Sequence, residues 1–585
     1  MTDLPQGMTR RWALPANNAD TTGGLMERVL IARGYTDPDT REAFLKGSLN
    51  DLPNPETLPG CTQAANTLLQ ATNNGTPITI YGDFDVDGIT ATAILWHTLH
   101  AINPNVDLQS YIPHRLQEGY GLNADALRQL AADGRKLIVT VDCGVTALKE
   151  AALAKELGLE LIITDHHTLH ATDPLPEAAA IVHPGLPDAN YAFTELAGAG
   201  VAWKLALLTA QQHVGAPKVT DTLRDTLMDC LALAALGTVA DVMPLIDENR
   251  RIVAVGLRHI GACKIPGVQA LIRACTKPGE RVDAETVGYR IGPRLNAAGR
   301  LDHAREAVEL LTTATDDNAP SLAKALDNLN VTRQQMVRTL TDEAIEAAKA
   351  AGMTAPDQRI IVLTGTSDTW HRGILGITCS RLAEQFNRPV IMLRQESDAD
   401  GGGLGGSSRS VTGFNLYKAL EHCSDLLGEW GGHPMAAGLS LQAKNLDAFI
   451  EQISAWANDH IEEAALTPTI TVDCLAQSGD LDDNSVGMLD QLAPFGRGNP
   501  RPRVLLKSAV IRKSRLFGKQ DAKHHVSLTL DVGTTRRQLL DAVWWSAKQH
   551  IDELAVGVEV DVVGAVAIDS YTGGVRVTID DIALV

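Results

Sequence analysis

The chain has no excess of positive charge, no long apolar run, no paired cysteines and no apolar leader. Lys and Arg number 51 against 71 Asp and Glu, for a net charge of −20. That balance argues against a protein that binds polyanions over its whole surface. It leaves room for a nucleic-acid enzyme, because local fields matter more than the sum. The closest approach to a membrane span, CLALAALGTVA at 230–240, stops at Asp241, short of the roughly 18 residues required. The opening MTDLPQGMTRRWALPANNAD lacks the apolar core of a secretory signal. Eight scattered cysteines form no C-x-x-C pair, so neither a zinc site nor a disulfide framework is indicated. The cytoplasm is the expected address. A length of 585 residues predicts about three to five domains.

From Pro77 strands and helices alternate. ITIYGD (78–83) is a short apolar strand entering a polar turn, and ITATAILWHTLHAI (89–102) follows as a helix. KLIVTVDCG (136–144), ALKEAALAKELG (147–158) and LELIITDHH (159–167) repeat the unit. This spacing predicts βαβ units and a parallel sheet, which places ligands at the carboxyl ends of its strands. Residues 195–350 read mainly as helix, ending in a long connecting helix. A second α/β unit begins at RIIVLTG (359–365) and ends with the helix around 445–461. Beyond Thr467, short alternating strands predict a small β-barrel or sandwich. Residues 1–60 show one helical stretch, at Gly24–Arg33, and little else.

The chemistry is concentrated at strand ends. DFDVDG (83–88) sets Asp83, Asp85 and Asp87 at alternate positions after a strand, where their side chains share a face and converge on a cation or pair of cations. The same string opens an EF-hand loop, but that loop needs a bidentate Glu at its twelfth position, and Ile94 stands there. Asp142 ends a very apolar strand, where a carboxylate is costly unless paired or bound to metal. TDHH (164–167) adds Asp165, His166 and His167, and GTVADV (237–242) adds Asp241. One buried Asp or His is ordinarily a satisfied core group; four segments each delivering one are not. Carboxylate and imidazole without thiolate suit Mn²⁺ or Mg²⁺. Several carboxylates fit a two-metal site, with ions about 3.5–4 Å apart, that activates water against a phosphoryl centre.

DFDVDG, VDCG, TDHH and GTVADV, in that order, resemble the successive motifs of the DHH phosphoesterase superfamily. GPRLNAAGRL (292–301), GGSSRS (405–410) and GGHPMAAG (431–438) narrow the resemblance to its bacterial RecJ family of single-strand-specific exonucleases. The resemblance implies an α/β architecture: a parallel-sheet DHH domain (61–315) after an N-terminal segment (1–60), a connecting helix (316–352), a smaller DHHA1 domain (353–464) and an OB-type β-barrel (465–585). It implies that Asp87, Asp142, His166 and Asp241 hold one metal. Asp85 and the shared Asp142 hold the other, with Asp83 beside it. His167 then contacts the scissile phosphate or orients the site, and Asp165 fixes an imidazole tautomer; the bland alternative is that both only shape the turn. A 5′-terminal phosphate pocket would draw on Arg115, Arg294, Arg300, Ser407 and Arg409, since guanidinium forks suit phosphate. Gly401–Gly406 either let backbone approach that phosphate or begin as a linker. Relatives usually read Gly-Ser-Gly-Arg where this chain has Gly406-Ser407-Ser408-Arg409, which puts the backbone geometry there in question. Gly431, Gly432 and His433 would line the substrate path, unless His433 starts a helix.

Arg497, Arg501, Arg503, Lys507, Arg512, Lys513, Arg515, Lys519 and Lys523 stand against the single acid Asp521, a local +8 within the −20 chain. A charge run is by default a solvated face; with Phe495, Phe517 and two histidines interleaved, this one suits phosphate contacts plus base stacking. Trp544 and Trp545 read as stacking residues or barrel core. The expected protein is therefore a monomeric phosphodiesterase using two Mn²⁺ or Mg²⁺ ions. It would degrade single-stranded DNA from the 5′ end to 5′-mononucleotides in recombination and repair, beside a helicase and a single-strand-binding protein. A nanoRNase or cyclic-dinucleotide phosphodiesterase would lack the basic barrel. A Cdc45-like replication scaffold would have lost metal positions, and a pyrophosphatase would be shorter.

Overall fold

The computed structural model describes the chain except residues 1–5, 16–22, 116, 170–173, 188, 397–402, 520–521, 534–535 and 570–572. The chain divides into two units, one of residues 47–336 with 494–500, the other of 1–46, 337–493 and 501–585.

In the first unit, β1 (Ile78–Gly82), β2 (Leu108–Tyr111), β3 (Leu137–Val141), β4 (Glu160–Thr164) and β5 (Ala180–Val182) form one all-parallel sheet in the order β2-β1-β3-β4-β5. Every residue of β1 and β3 is buried, as their unbroken apolar runs require of strands covered on both faces. The strand order reverses beside β1, so the carboxyl ends of β1 and β3 form the topological switch point where such sheets bind ligands. Helices α1 (Val86–Ile102), α2 (Gly198–Val214) and α3 (Asp221–Ala240) pack on one another within the main core. The apolar run at 230–240 is thus a core helix, and among the described residues no helix is long and apolar enough to cross a membrane. Helix α4 (Gly292–Leu301) follows a π-helical turn, Val287–Ile291.

Helix α5 (Ala319–Ala350) is continuous, as its Ala-rich sequence predicts, and enters the second unit at Val337. There β6 (Ile361–Gly365), β7 (Val390–Gln395), β8 (Leu404–Arg409), β9 (Trp430–His433) and β10 (Ala436–Leu441) form a mixed sheet in the order β9-β10-β8-β7-β6. Only β6 and β7 run parallel. Helix α6 (Arg372–Phe386) packs on β7 and β8. The closed barrel comprises β11 (Arg503–Lys519), β12 (Ala522–Asp531), β13 (Leu539–Trp544), β14 (Glu559–Ile568) and β15 (Val575–Leu584), with β14 returning to pair with β11. The expected short strands are therefore partly wrong. β11 is one long strand, bent by irregularities between Leu506 and Ala509 and between Ile511 and Lys513, so that it serves two sides of the barrel.

Residues 6–46 also hold more structure than their sequence pattern suggests. Strand Arg11–Ala13 pairs in parallel with Thr469–Thr471, and a second helix, Pro38–Lys46, follows the first. The segment is fastened to the barrel by Asp581, whose fully buried carboxylate accepts from Thr9 N (3.0 Å), Thr9 Oγ1 (2.9 Å), Arg10 N (3.0 Å) and Trp12 Nε1 (2.9 Å). Arg28 pairs with Asp480 and Arg33 with Asp473 behind it. These contacts join opposite ends of the chain, which is why no local pattern announces them. Replacing Asp581 by Ala removes the acceptor of four donors, the buried Trp12 indole among them, and should cost about 3 kcal/mol, whereas Trp12→Phe removes one donor and should cost about 1 kcal/mol. Denaturant melts of the two variants against the parent check that ranking.

Candidate active site

All the carboxylates that follow strands or end α3 meet at the switch point. Asp85 caps α1, accepting from Asp87 N (2.9 Å) and Gly88 N (3.2 Å). Asp87, fully buried, is held by the first amides of α2: Gly198 N donates to Oδ2 (2.7 Å) and Ala199 N to Oδ1 (3.0 Å). A Cβ on Gly198 would lie 2.8 Å from Asp142 Oδ1 and 2.9 Å from Asp87 Oδ2, so only glycine lets this helix end approach both carboxylates. Asp142 leaves β3 in the left-handed region (φ 62°), a conformation that costs a non-glycine residue about 1–3 kcal/mol and persists where the surroundings impose it. Asp241 caps the carboxyl end of α3.

His166 Nε2 lies 3.0 Å from Asp142 Oδ1 and 3.7 Å from both Asp87 Oδ2 and Asp241 Oδ2. Ligand atoms of Asp87, His166 and Asp241 fall within 4.8 Å of one another, as do those of Asp83, Asp85 and Asp142, and those of Asp142, His166 and His167. Among the described residues Asp83 Oδ1 is buried without a hydrogen-bond partner, and buried Asp142 Oδ1 has only the His166 contact at 3.0 Å, which lacks hydrogen-bond geometry. Unpartnered anionic oxygens in a dry site are the condition a divalent cation relieves, so the donor set fits the expected Mn²⁺ or Mg²⁺.

The electrostatics agree. Burial, then the neighbouring Asp85, raises the Asp87 carboxyl to about 7. Burial, then Asp87, raises Asp241 to about 9. Asp83 and Asp142 are raised well above the carboxylate range by burial and by the other acids. Burial, with His167 beside it, lowers His166 to about 3, leaving the neutral imidazole that a metal requires. Burial alone would discharge His167, but its bond to Asp165 (Nδ1 to Oδ1, 2.8 Å) outweighs that and raises it to about 9. Asp165 in turn is held below the usual range by that imidazole, against the effect of its own burial.

Several residues that the sequence reading passed over also belong to the site. Tyr120, between the left-handed Gly119 and Gly121, places its hydroxyl 3.1 Å from His167 Nδ1 and 3.3 Å from the Asp142 carbonyl. His183 Nε2 donates to the His167 carbonyl (2.8 Å), its tautomer fixed because Gly185 N donates to Nδ1 (2.9 Å). Asn296, in GPRLNAAGRL, accepts from Val86 N at 3.2 Å. The two glycines flanking Tyr120 were the available signal; the amides of α2 carry none.

The other predicted residues are placed unequally. Arg115 lies over the Phe84 ring, 4.6 Å from its centroid. Arg294 is committed to Asp327 (2.9 Å) and the Arg290 carbonyl (2.6 Å), so its charge is already compensated. Arg300 is half-buried in α4. In the second unit, Ser407 and Arg409 share one face of β8, and Arg409 Nη1 donates to the Ser408 carbonyl at 2.8 Å. No carboxylate pairs with Arg409 among the described residues, and burial lowers its pKa. Ser408 points to the opposite face, where its hydroxyl donates to the Ala437 carbonyl at 2.8 Å; serine in place of glycine therefore fits the strand. Gly401 and Gly402 lie outside the described residues. Gly431, Gly432 and His433 form an exposed strand, which removes the helix-start reading of His433.

The basic cluster is less uniform than its sequence. Arg503 pairs with Asp580, Arg512 with Asp531, and Arg501 with Asp490 at 3.6 Å. Arg497 belongs with the first unit. The side chains of Lys519 and Lys523 lie outside the described ones. Lys513 and Arg515, without an acidic partner among the described residues, share a face with Phe517, whose ring packs on His525 (5.3 Å) and Trp545 (5.7 Å). Trp545 is 54% exposed, while Trp544 is core.

Carboxylates and imidazoles converging at the switch point of a doubly wound sheet make this a metal-dependent phosphoesterase of the DHH class. A model of the DHH family N-terminal domain matches residues 77–235, one of the DHHA1 domain 357–459, and one of the RecJ OB domain 472–580. The single-stranded-DNA-specific exonuclease RecJ of Bacillus subtilis is 37% identical over 570 residues, 96% of this chain and 69% of that one. RecJ of Escherichia coli is 34% identical over 490 residues, 82% of each chain. The crystal structure of Thermus thermophilus RecJ with Mn²⁺ matches at a TM-score of 0.77 and 30% identity, over 95% of this chain and 75% of that one. Its Mg²⁺ complex matches at 0.72 and 29% over 95% and 74%. The chain belongs to the RecJ family of single-stranded-DNA-specific exonucleases.

Because the raised carboxyls hold protons that a cation must displace, the metal-free protein should lose stability as pH rises through the window that opens at the ordinary carboxylate value of 3.8, the loss being complete above about 7 for Asp87 and about 9 for Asp241. Mn²⁺ should raise the unfolding temperature more above that window than below it. Thermal melts across the window, with Mn²⁺ or with chelator, check both signs; equal gains at both ends would contradict the protonated cluster.

Proposed function

We propose that this protein hydrolyses single-stranded DNA from its 5′ end, releasing 5′-mononucleotides, with two Mn²⁺ or Mg²⁺ ions held by Asp83, Asp85, Asp87, Asp142, His166 and Asp241. The observation that carries the reading is the convergence of those donors at the switch point, with two buried carboxylate oxygens that make no hydrogen bond among the described residues. The grouping supports Asp87, His166 and Asp241 for one ion, Asp83 and Asp85 for the other, and Asp142 as the carboxylate shared between them. When bound, such ions lower the pKa of water and offset charge developing on phosphoryl oxygens.

The chain's own groups do the rest. His167, protonated at neutral pH and oriented by Asp165, donates to an oxygen of the scissile phosphate. Arg409, a half-buried guanidinium without an acidic partner among the described residues, takes the terminal phosphate together with Ser407; Arg115 is the candidate in the first unit. Arg294, being compensated by Asp327, is the weaker choice. Phe517, His525 and Trp545 stack on bases while Lys513 and Arg515 contact phosphates. A role in recombination and repair in the cytoplasm, as a monomer working beside a helicase and a single-strand-binding protein, accords with this substrate.

A 5′-phosphorylated oligonucleotide labelled at its 3′ end should shorten progressively from the 5′ end with Mn²⁺, and Asp142→Ala should abolish the ladder. Cleavage surviving that substitution would remove Asp142 from its shared role; preference for dinucleotides would favour the nanoRNase reading. Arg409→Ala should raise KM for 5′-phosphorylated strands by about tenfold, the worth of one charge-assisted hydrogen bond. Neutralising Lys513 and Arg515 together should reduce the salt slope of binding by about two, one per phosphate contact. A salt titration of fluorescence anisotropy reads that slope.

A further inference from the structure

The motif APFGRGNP (493–500) stands at the entrance to the barrel in sequence, yet residues 494–500 group with the unit that carries the carboxylates, while 493 and 501 group with the other. The turn is closed on itself. Gly496 and Asn499 exchange main-chain hydrogen bonds (2.9 and 3.2 Å), and the Asn499 side chain, 2% exposed, donates to the Pro494 carbonyl at 2.8 Å. Gly498 has φ 75°, and a Cβ there would lie 3.2 Å from Pro244 Cβ and 3.3 Å from Ile246 Cγ2. The Arg497 carbonyl accepts from Leu245 N at 2.7 Å. The turn is therefore seated on residues 244–246.

Those residues close the loop that begins at Asp241. The next residue, Val242, is left-handed (φ 58°), which a β-branched side chain adopts only under constraint. The far end of the loop is tied to the second acid of the site. Asn249, fully buried, donates to the Pro244 carbonyl (3.1 Å) and the Glu195 carbonyl (2.6 Å), and its Oδ1 accepts from Ala197 N (3.3 Å). Ala197 immediately precedes the two α2 amides that hold Asp87. A path of hydrogen bonds and intervening main chain thus runs from the turn to Leu245, from the adjacent Pro244 to Asn249, and from Asn249 to Ala197 beside the clamp on Asp87, with Asp241 at the head of the same loop.

We propose that the turn 494–500 is a positioning element of the cation site: seated on residues 244–246, it sets where the Asp241 carboxylate stands relative to Asp87 and His166. In this positioning role its residues act on the cation site through the loop. The inference rests on the reading of Asp87, His166 and Asp241 as cation ligands. Hydrogen-bonded supports one step removed from a metal are typically worth about 10–100-fold in affinity.

The test is calorimetric titration of Mn²⁺ into metal-free full-length protein, comparing the parent with Gly498→Ala, Gly498→Val and Asn499→Ala. The variants should bind Mn²⁺ about tenfold more weakly and gain less in unfolding temperature from a fixed Mn²⁺ concentration. Excess Mn²⁺ should restore their cleavage rate. If Gly498→Val does not fold, Gly498→Ala and Asn499→Ala carry the comparison. Folded variants that match the parent's Mn²⁺ affinity, or that lose the same unfolding temperature with and without Mn²⁺, would reduce the turn to a tether and overturn the proposal. A parent that binds no Mn²⁺ would instead overturn the cation reading itself, and the positioning role with it.

Discussion

Packing Asp83, Asp87 and Asp142 out of water, with the part-exposed Asp241 beside them, is the constraint around which the catalytic unit is built. His166 lies within ion-pair distance of Asp87, Asp142 and Asp241 and His167 of Asp142, while Arg115 adds a favourable charge at Asp83. Left as four ions in a dry site they would repel strongly, and the alternative to a cation is protonation. The surrounding architecture acts to hold them there. The switch point between β1 and β3 supplies the crevice, the first amides of α2 grip Asp87, and Asp142 is kept in a backbone conformation it would not adopt alone.

That constraint also explains the charge. A net −20 looks unsuited to a DNA enzyme, yet part of the acid is the carboxylate cluster at the switch point. The positive side is distributed with equal economy: Arg503 and Arg512 brace the barrel through Asp580 and Asp531, leaving Lys513 and Arg515 beside an exposed aromatic cluster. A half-buried Arg409, with no carboxylate pairing it among the described residues, stands in the mixed sheet. On the proposed reading, opposite charges serve different atoms of the same polymer, the metals at the scissile phosphate and the cations along the backbone.

What the sequence made legible was local. DFDVDG, VDCG, TDHH and GTVADV sit at element ends, where side-chain chemistry and chain geometry coincide, so both the sheet and the convergence of their Asp and His side chains were readable. What escaped it was non-local. Nothing near Trp12 indicates that its indole donates to Asp581, and nothing near Arg294 indicates that Asp327 compensates it. Nor does PFGRGNP, standing before a barrel strand, reveal that it seats on residues following Asp241. Backbone donors such as Gly198 N leave no mark on composition at all. The long bent strand β11 hid for a related reason, since irregularities break its alternation into what reads as shorter strands.

The central claim is that one shared carboxylate organises two cation sites. Native mass spectrometry of the folded protein with Mn²⁺ tests it most directly, by counting bound ions in the parent and in Asp142→Asn. The account predicts two ions on the parent and the loss of at least one when the shared charge is removed. A parent that binds a single ion, or a variant that still holds two with unchanged affinity, would contradict it.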